Sequence, residues 1–170
     1  MMKRRLLAVL ILCLLGLPVA CEAALSASAA FTLIQKVAPG TELPDAVSFL
    51  GNHASEGAAE GAGMKVRRWG TEEDDWLLDV LHDGSVVRAT RITWITRTKR
   101  DQQTIFSQLT TAGKKYFGGT AKFRGLDQAE WLEMDGKLLV LARIEPELSQ
   151  GVTLLTGIRN DAKESSKYGF

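Results

Sequence analysis

His53, His82, Cys13 and Cys21 are the side chains of this 170-residue sequence best suited to covalent or metal chemistry. A Ser or Thr nucleophile needs a base beside it. His53 stands near Ser48 and Ser55 in sequence, and His82 opens the turn His82-Asp83-Gly84-Ser85, but no Gly-x-Ser-x-Gly elbow accompanies either. The expected roles are a polar loop residue and a turn residue, and no catalytic residue is assigned. Structural zinc calls for close sets of Cys and His, and two distant histidines do not supply one. The run Thr71-Glu72-Glu73-Asp74-Asp75 is rich in carboxylates, yet it lacks the alternate spacing and central Gly of a calcium loop. No Gly-rich phosphate motif occurs, so no nucleotide, metal or other cofactor is expected.

The cysteines belong to the N-terminal segment. Lys3, Arg4 and Arg5 precede an apolar run from Leu6 to Leu17, Pro18 interrupts it, and small residues follow to Ala24. This is the layout of a secretory signal peptide. Counted to Ala20 the run has 15 residues, short of the roughly 20 needed to cross a bilayer. The expectation is cleavage after Ala23, export to the periplasm or beyond, and a mature chain with no disulfide. Ala27-Ser28-Ala29 also fits the small-x-small cleavage rule. In the alternative, Cys21 is lipidated as the first residue of an outer-membrane lipoprotein. Ala20 fits that pattern, while Pro18 occupies the place of its aliphatic residue. Lipidated Cys21 would be the chain's one membrane contact.

Composition narrows the rest. Hydrophobic residues make up 45% and charged ones 24%, which excludes disorder. Loss of residues 1–23 takes the net charge from +1 to about −1, so the basic footprint of a nucleic-acid binder is missing. Against that neutrality, Arg88, Arg91, Arg97, Lys99 and Arg100 lie close together in sequence, with Lys114 and Lys115 further on. They are expected to face outward and offer a surface to an acidic partner, another envelope protein. The competing reading is ordinary strand edges neutralised by Glu72 to Asp75. Trp69, Trp76, Trp94 and Trp131 all fall on expected strands; any one exposed beside the arginines would be a hot spot.

The elements that must position these residues follow from periodicity. Residues 24–30 read as a flexible lead-in and Phe31 to Lys36 as a short strand. Leu43, Ala46, Val47 and Leu50 share one helical face, ended by Gly51. Residues 52–63 read as a loop, and strands are expected at 64–69, 76–82 and 85–97, the last two joined by an Asp-Gly hairpin. A bulge near Thr90-Arg91 would turn Val87, Ala89, Ile92 and Trp94 all inward. A second helix starts with Asp101 as N-cap, carries Ile105, Leu109, Ala112 and Tyr116 on its inner face, and stops at Gly118. Strands at 120–124, 128–134, 137–144 and 152–158 follow, with a second hairpin at Asp135-Gly136. Residues 160–170 form a polar tail; Tyr168 and Phe170 end the chain, but Ser166 and Glu164 before them exclude a membrane-barrel strand. The expected fold is α+β: one domain over 31–159, built of two helix-plus-antiparallel-meander units, about 31–97 and 98–159. They form one sheet with the helices on one face. A tandem repeat would make Trp76 and Trp131 equivalent, each on its own helix.

Val37-Ala38-Pro39-Gly40-Thr41, the short helix after it and Phe49-Leu50-Gly51 resemble the opening of the SmpA/OmlA outer-membrane assembly lipoproteins. The similarity extends over about residues 37–95, with Asn52-His53 where the family usually has Pro. It implies a fold like one half of the β-lactamase-inhibitor-protein fold and a non-catalytic envelope protein acting by protein–protein contact. Two further readings stand beside it, a small periplasmic carrier with an apolar pocket and a small envelope enzyme with unfamiliar catalytic residues.

Overall fold

The computed structural model describes residues 25–158 apart from 53–54, 60–62, 72, 120, 134–137 and 148–150. The expected signal segment, Cys21, His53, the Asp135-Gly136 turn and the polar tail lie outside these residues.

Helix α1 (Ala27–Lys36) stands where the second half of the lead-in and a strand were expected. Alanine-rich Ala27 to Ala30 favours a helix. Ala27, Ala30, Phe31 and Ile34 recur at helical spacing, a pattern that outweighs the short alternation seen at 31–36. Ser26 caps the helix, its Oγ accepting from the Ala29 N–H at 3.2 Å. Helix α2 (Leu43–Leu50) matches its expected bounds, with Pro44 in the first turn and Gly51 at the C-cap.

The strands are β1 (Ser55–Ala58), β2 (Lys65–Trp69), β3 (Trp76–His82) and β4 (Val87–Trp94). After helix α3 (Lys99–Phe117) come β5 (Lys122–Arg124), β6 (Gln128–Glu133), β7 (Leu138–Ile144) and β8 (Val152–Ile158). Strand β1 corrects the expectation of a loop: Ser55 to Ala58 buries nothing but pairs along β2, held by the backbone ladder and by Glu56, which faces Arg67 and Lys65 across the pair. All eight strands form one antiparallel sheet in the order β1-β2-β3-β4-β8-β7-β6-β5. Two four-stranded meanders thus meet along β4 and β8, and β8, last in sequence, lies inside the sheet.

The bulge falls nearer the turn than expected. Val87 opposes His82 and Ala89 opposes Leu81, which leaves Arg88 without a partner on β3. The extra residue brings Val87 onto the face of Ile92 and Trp94 and leaves Ala89 on the other face. Helices α1, α2 and α3 all pack on the first of these faces. The core they close holds Phe31, Leu78, Ile92, Leu109, Trp131 and Leu154, among others.

The inner face of α3 is rotated from expectation. Thr98 is the N-cap in place of Asp101, and the buried positions are Gln102, Phe106, Leu109 and Gly113, while Tyr116 is exposed. Trp131 does pack on this helix, stacking on Phe117 with ring centroids 5.8 Å apart. Trp76 is not its counterpart. It sits on the third strand of its meander, half-buried, whereas Trp131 sits on the second strand of the other.

Candidate binding surface

The five cations singled out in sequence occupy three separate places. Arg88 is the bulged residue. Its Nε donates to Asp83 Oδ2 at 2.8 Å. Asp83 Oδ1 meanwhile accepts from the Ser85 and Val86 N–H groups at 2.9 and 3.0 Å. The backbone bonds from Val86 and Ser85, then the guanidinium of Arg88, hold the Asp83 carboxyl well below the usual carboxylate range.

Arg91 points to the face opposite the helices, within a row set by register. Arg68 on β2 opposes Asp79 on β3, and Asp79 opposes Arg91 on β4. Arg68 closes on Asp79 as a fork, Nε to Oδ1 at 2.7 Å and Nη2 to Oδ2 at 3.0 Å. Arg91 Nη2 reaches Oδ2 at 2.8 Å. Asp79 is 1% exposed. Burial alone would raise its pKa; the hydrogen bonds from Arg68 and Arg91 outweigh it and hold the carboxyl below its ordinary value. Sequence reading missed Arg68 and Asp79. The signal was there as alternation on two neighbouring strands, but it needed the register to be read.

Arg97, Lys99 and Arg100 are exposed together at the start of α3, and none makes an ion pair with a described residue. Thr98 between them is occupied as the cap, its Oγ1 accepting from the Asp101 N–H at 3.1 Å and donating to Asp101 Oδ2 at 2.8 Å. From there the outward ridge of α3 runs through Gln103, Thr104, Ser107, Gln108 and Thr111 to Lys114 and Lys115, all exposed. Asp101 is the one acid in the helix. Arg88 and Arg91 therefore lie apart from this group and are ion-paired with Asp83 and Asp79, the latter shared with Arg68, while the Glu72 to Asp75 run plays no described part in either pair. Asp74 folds onto its own loop, Oδ2 accepting from the Thr71 N–H at 2.6 Å.

Elsewhere the expected chemistry is redistributed. His82 is the buried last residue of β3 and not an open turn residue. Trp69, Trp94 and Trp131 are buried and Trp76 is half-buried, so no tryptophan stands exposed beside the cations. Among the described residues the large exposed apolar side chains are Phe49, Tyr116, Phe123 and Leu126. Among the described residues no set of three or more His, Cys, Asp or Glu side chains is placed to hold a metal ion. No described helix is long and apolar enough to cross a membrane.

No protein-family model matches this chain, and no curated protein matches it. Among solved structures, a cysteine-rich secretory protein from Staphylococcus aureus is similar at 8% identity and a TM-score of 0.42. The match covers 76% of this chain and 46% of that one, so the chain spans about half the length of that protein.

Proposed function

We propose that this protein is an exported, non-catalytic binding module of the bacterial envelope that holds an acidic segment of another envelope protein against Arg97, Lys99 and Arg100. The observation that carries the reading is the position of these charges. A helix N-terminus already bears partial positive charge, and cations there are unfavourable for stability. Here three exposed cations, without an ion-pair partner among the described residues, surround the N-terminus of α3, where solubility alone does not require them. An acidic partner would relieve their mutual repulsion.

The rest of the ridge supports a protein partner over a lipid surface. Its middle consists of Gln, Ser and Thr, with no apolar side chain to enter a bilayer. Lys114 and Lys115 extend the positive character to the far end of the helix, where they also suit its dipole. Export through the segment 1–23, or tethering through lipidated Cys21, would bring this face into the envelope.

The test is capture from an envelope extract by the protein purified from its own export host, compared with the triple reversal Arg97→Glu, Lys99→Glu, Arg100→Glu. Parent capture should fall as salt rises, as expected of exposed charges. The triple variant should fold and lose the partner. Retention of every captured protein by the triple variant overturns the reading.

A further inference from the structure

His82 is buried at 1% exposure beside the β3–β4 turn, and its two ring nitrogens have different tasks. Nδ1 accepts a hydrogen bond from the Gly84 N–H at 3.1 Å. An acceptor at Nδ1 requires the neutral ring with its hydrogen on Nε2. Nε2 is buried with no hydrogen-bond partner among the described residues, and Glu56 Oε2 lies 3.8 Å away. The turn that this bond helps to close is also a mooring. The Gly40 N–H donates to Val87 O at 2.8 Å, the Val87 N–H to Thr41 O at 2.9 Å and the Leu43 N–H to Ser85 O at 2.8 Å. These three bonds fix the connection between α1 and α2 to the end of the sheet.

We propose that His82 is an acid-released latch: its neutral ring holds the β3–β4 turn closed through Nδ1, and protonation of that nitrogen loosens the turn together with the α1–α2 connection moored on it. A protonated ring sets one N–H against another at Gly84, so the acceptor is lost and the two donors oppose each other. The surroundings favour the neutral ring on balance. Burial acts most strongly and Arg67 next, both lowering the histidine pKa; Lys65 adds to them, and Glu56 and Asp83 oppose. Glu56 comes from β1, Lys65 and Arg67 from β2 and Asp83 from the turn, while β4 sets the apolar Val87 opposite. Glu42, which bridges Val86 at the start of α2, points its exposed side chain to water. The inference is independent of the partner surface on α3.

The direction follows from linkage. A histidine held neutral in the fold takes up a proton more readily when the turn opens, so the closed state is favoured fully above about pH 6.5 and progressively less below it. In the purified protein at pH 7.5, NMR of the ring nitrogens should find the Nε2–H tautomer at His82, with His53→Gln used to assign the signals. The His82 midpoint should lie below that of a free histidine. Between pH 7.5 and pH 5.5, opening at the Gly84, Val87 and Leu43 amides, corrected for intrinsic exchange, should become up to about tenfold more frequent. His82→Asn places an amide oxygen near the site of Nδ1 and takes no proton, so this increase should vanish. An Nδ1–H tautomer, an unshifted or raised midpoint, or the same pH response in His82→Asn overturns the latch. Tautomer and midpoint decide the matter in the parent protein even if the variant does not fold.

Discussion

Asp79, on the face away from the helices, accepts hydrogen bonds from both Arg68 and Arg91. Removing it leaves two guanidiniums opposed across three strands. Because both are partly open to water, the expected loss for Asp79→Ala is about 3 kcal/mol, the lower end for a broken buried pair. It would be read as a reduced urea midpoint at unchanged slope. The lowered pKa of Asp79 sets the sign in acid. Its contribution is complete above about pH 4, the ordinary carboxylate range, and is lost as the pH falls through the lower folded value. Acid unfolding of Asp79→Asn should therefore be less steep than that of the parent. Arg91→Glu, harmless if Arg91 merely faced solvent, should destabilise strongly, because it sets a second carboxylate against Asp79. Arg88 differs: its partner Asp83 also closes the turn, so Asp83→Ala should open the hairpin before it affects anything else.

Helix α3 is the element in which packing and charge make opposite demands. Its close approach to the sheet depends on Gly113, where an added Cβ would lie 2.6 Å from Trp131 Cε2. Alanine is favoured over glycine by about 1 kcal/mol within a helix, but overpacking a rigid indole costs about 1–3 kcal/mol. Gly113→Ala should therefore lower the thermal midpoint despite its better propensity. The N-terminus behaves the other way. Lys99→Glu with Arg100→Glu places acids where the helix dipole favours them, each adding a few tenths to about 1 kcal/mol. Scanning calorimetry should show the double variant to be at least as stable as the parent. A loss of binding in such a variant cannot then be ascribed to unfolding. Thr98→Ala, which removes the cap bonded to Asp101, should cost about 1 kcal/mol.

At the scale of the molecule, β8 holds the two meanders together. It pairs with β4 from Ala89↔Gly157 to Trp94↔Val152 and with β7 from Leu138↔Ile158 to Ile144↔Val152. Both meanders hence depend on the last described strand of the chain. A chain ending at Glu147 should lack a cooperative unfolding transition by circular dichroism, since β4 and β7 would each lose a neighbour and the core would lose Val152 and Leu154. Hydrogen exchange in the whole protein should be slowest in β4 and β8 and fastest in the edge strands β1 and β5, which have one neighbour each.

Local pattern by itself determined the α+β class, helix α2 to the residue, β3, and the Asp-Gly turn of the first hairpin, since each rests on contacts within a few residues. It also placed Trp131 against its helix. It misread α1, because six residues of alternating character fit a strand as well as one side of a helix, and the alanines before them decided the matter. It missed β1, whose side chains bury nothing. The order of the sheet was beyond its reach: Ala89 and Gly157 are brought together by chain closure over a distance that no periodicity records. The candidate site divides in the same way. The cation-rich stretch was legible from Arg88 to Arg100, but only register could show that Asp79 lies directly opposite Arg91 and that a bulge turns Arg88 toward Asp83. Tertiary pairing thus separated the two ion-paired arginines from the three cations at the start of α3, which have no ion-pair partner among the described residues, because a side chain's charge is set by its own sequence and its partner by the neighbouring strand.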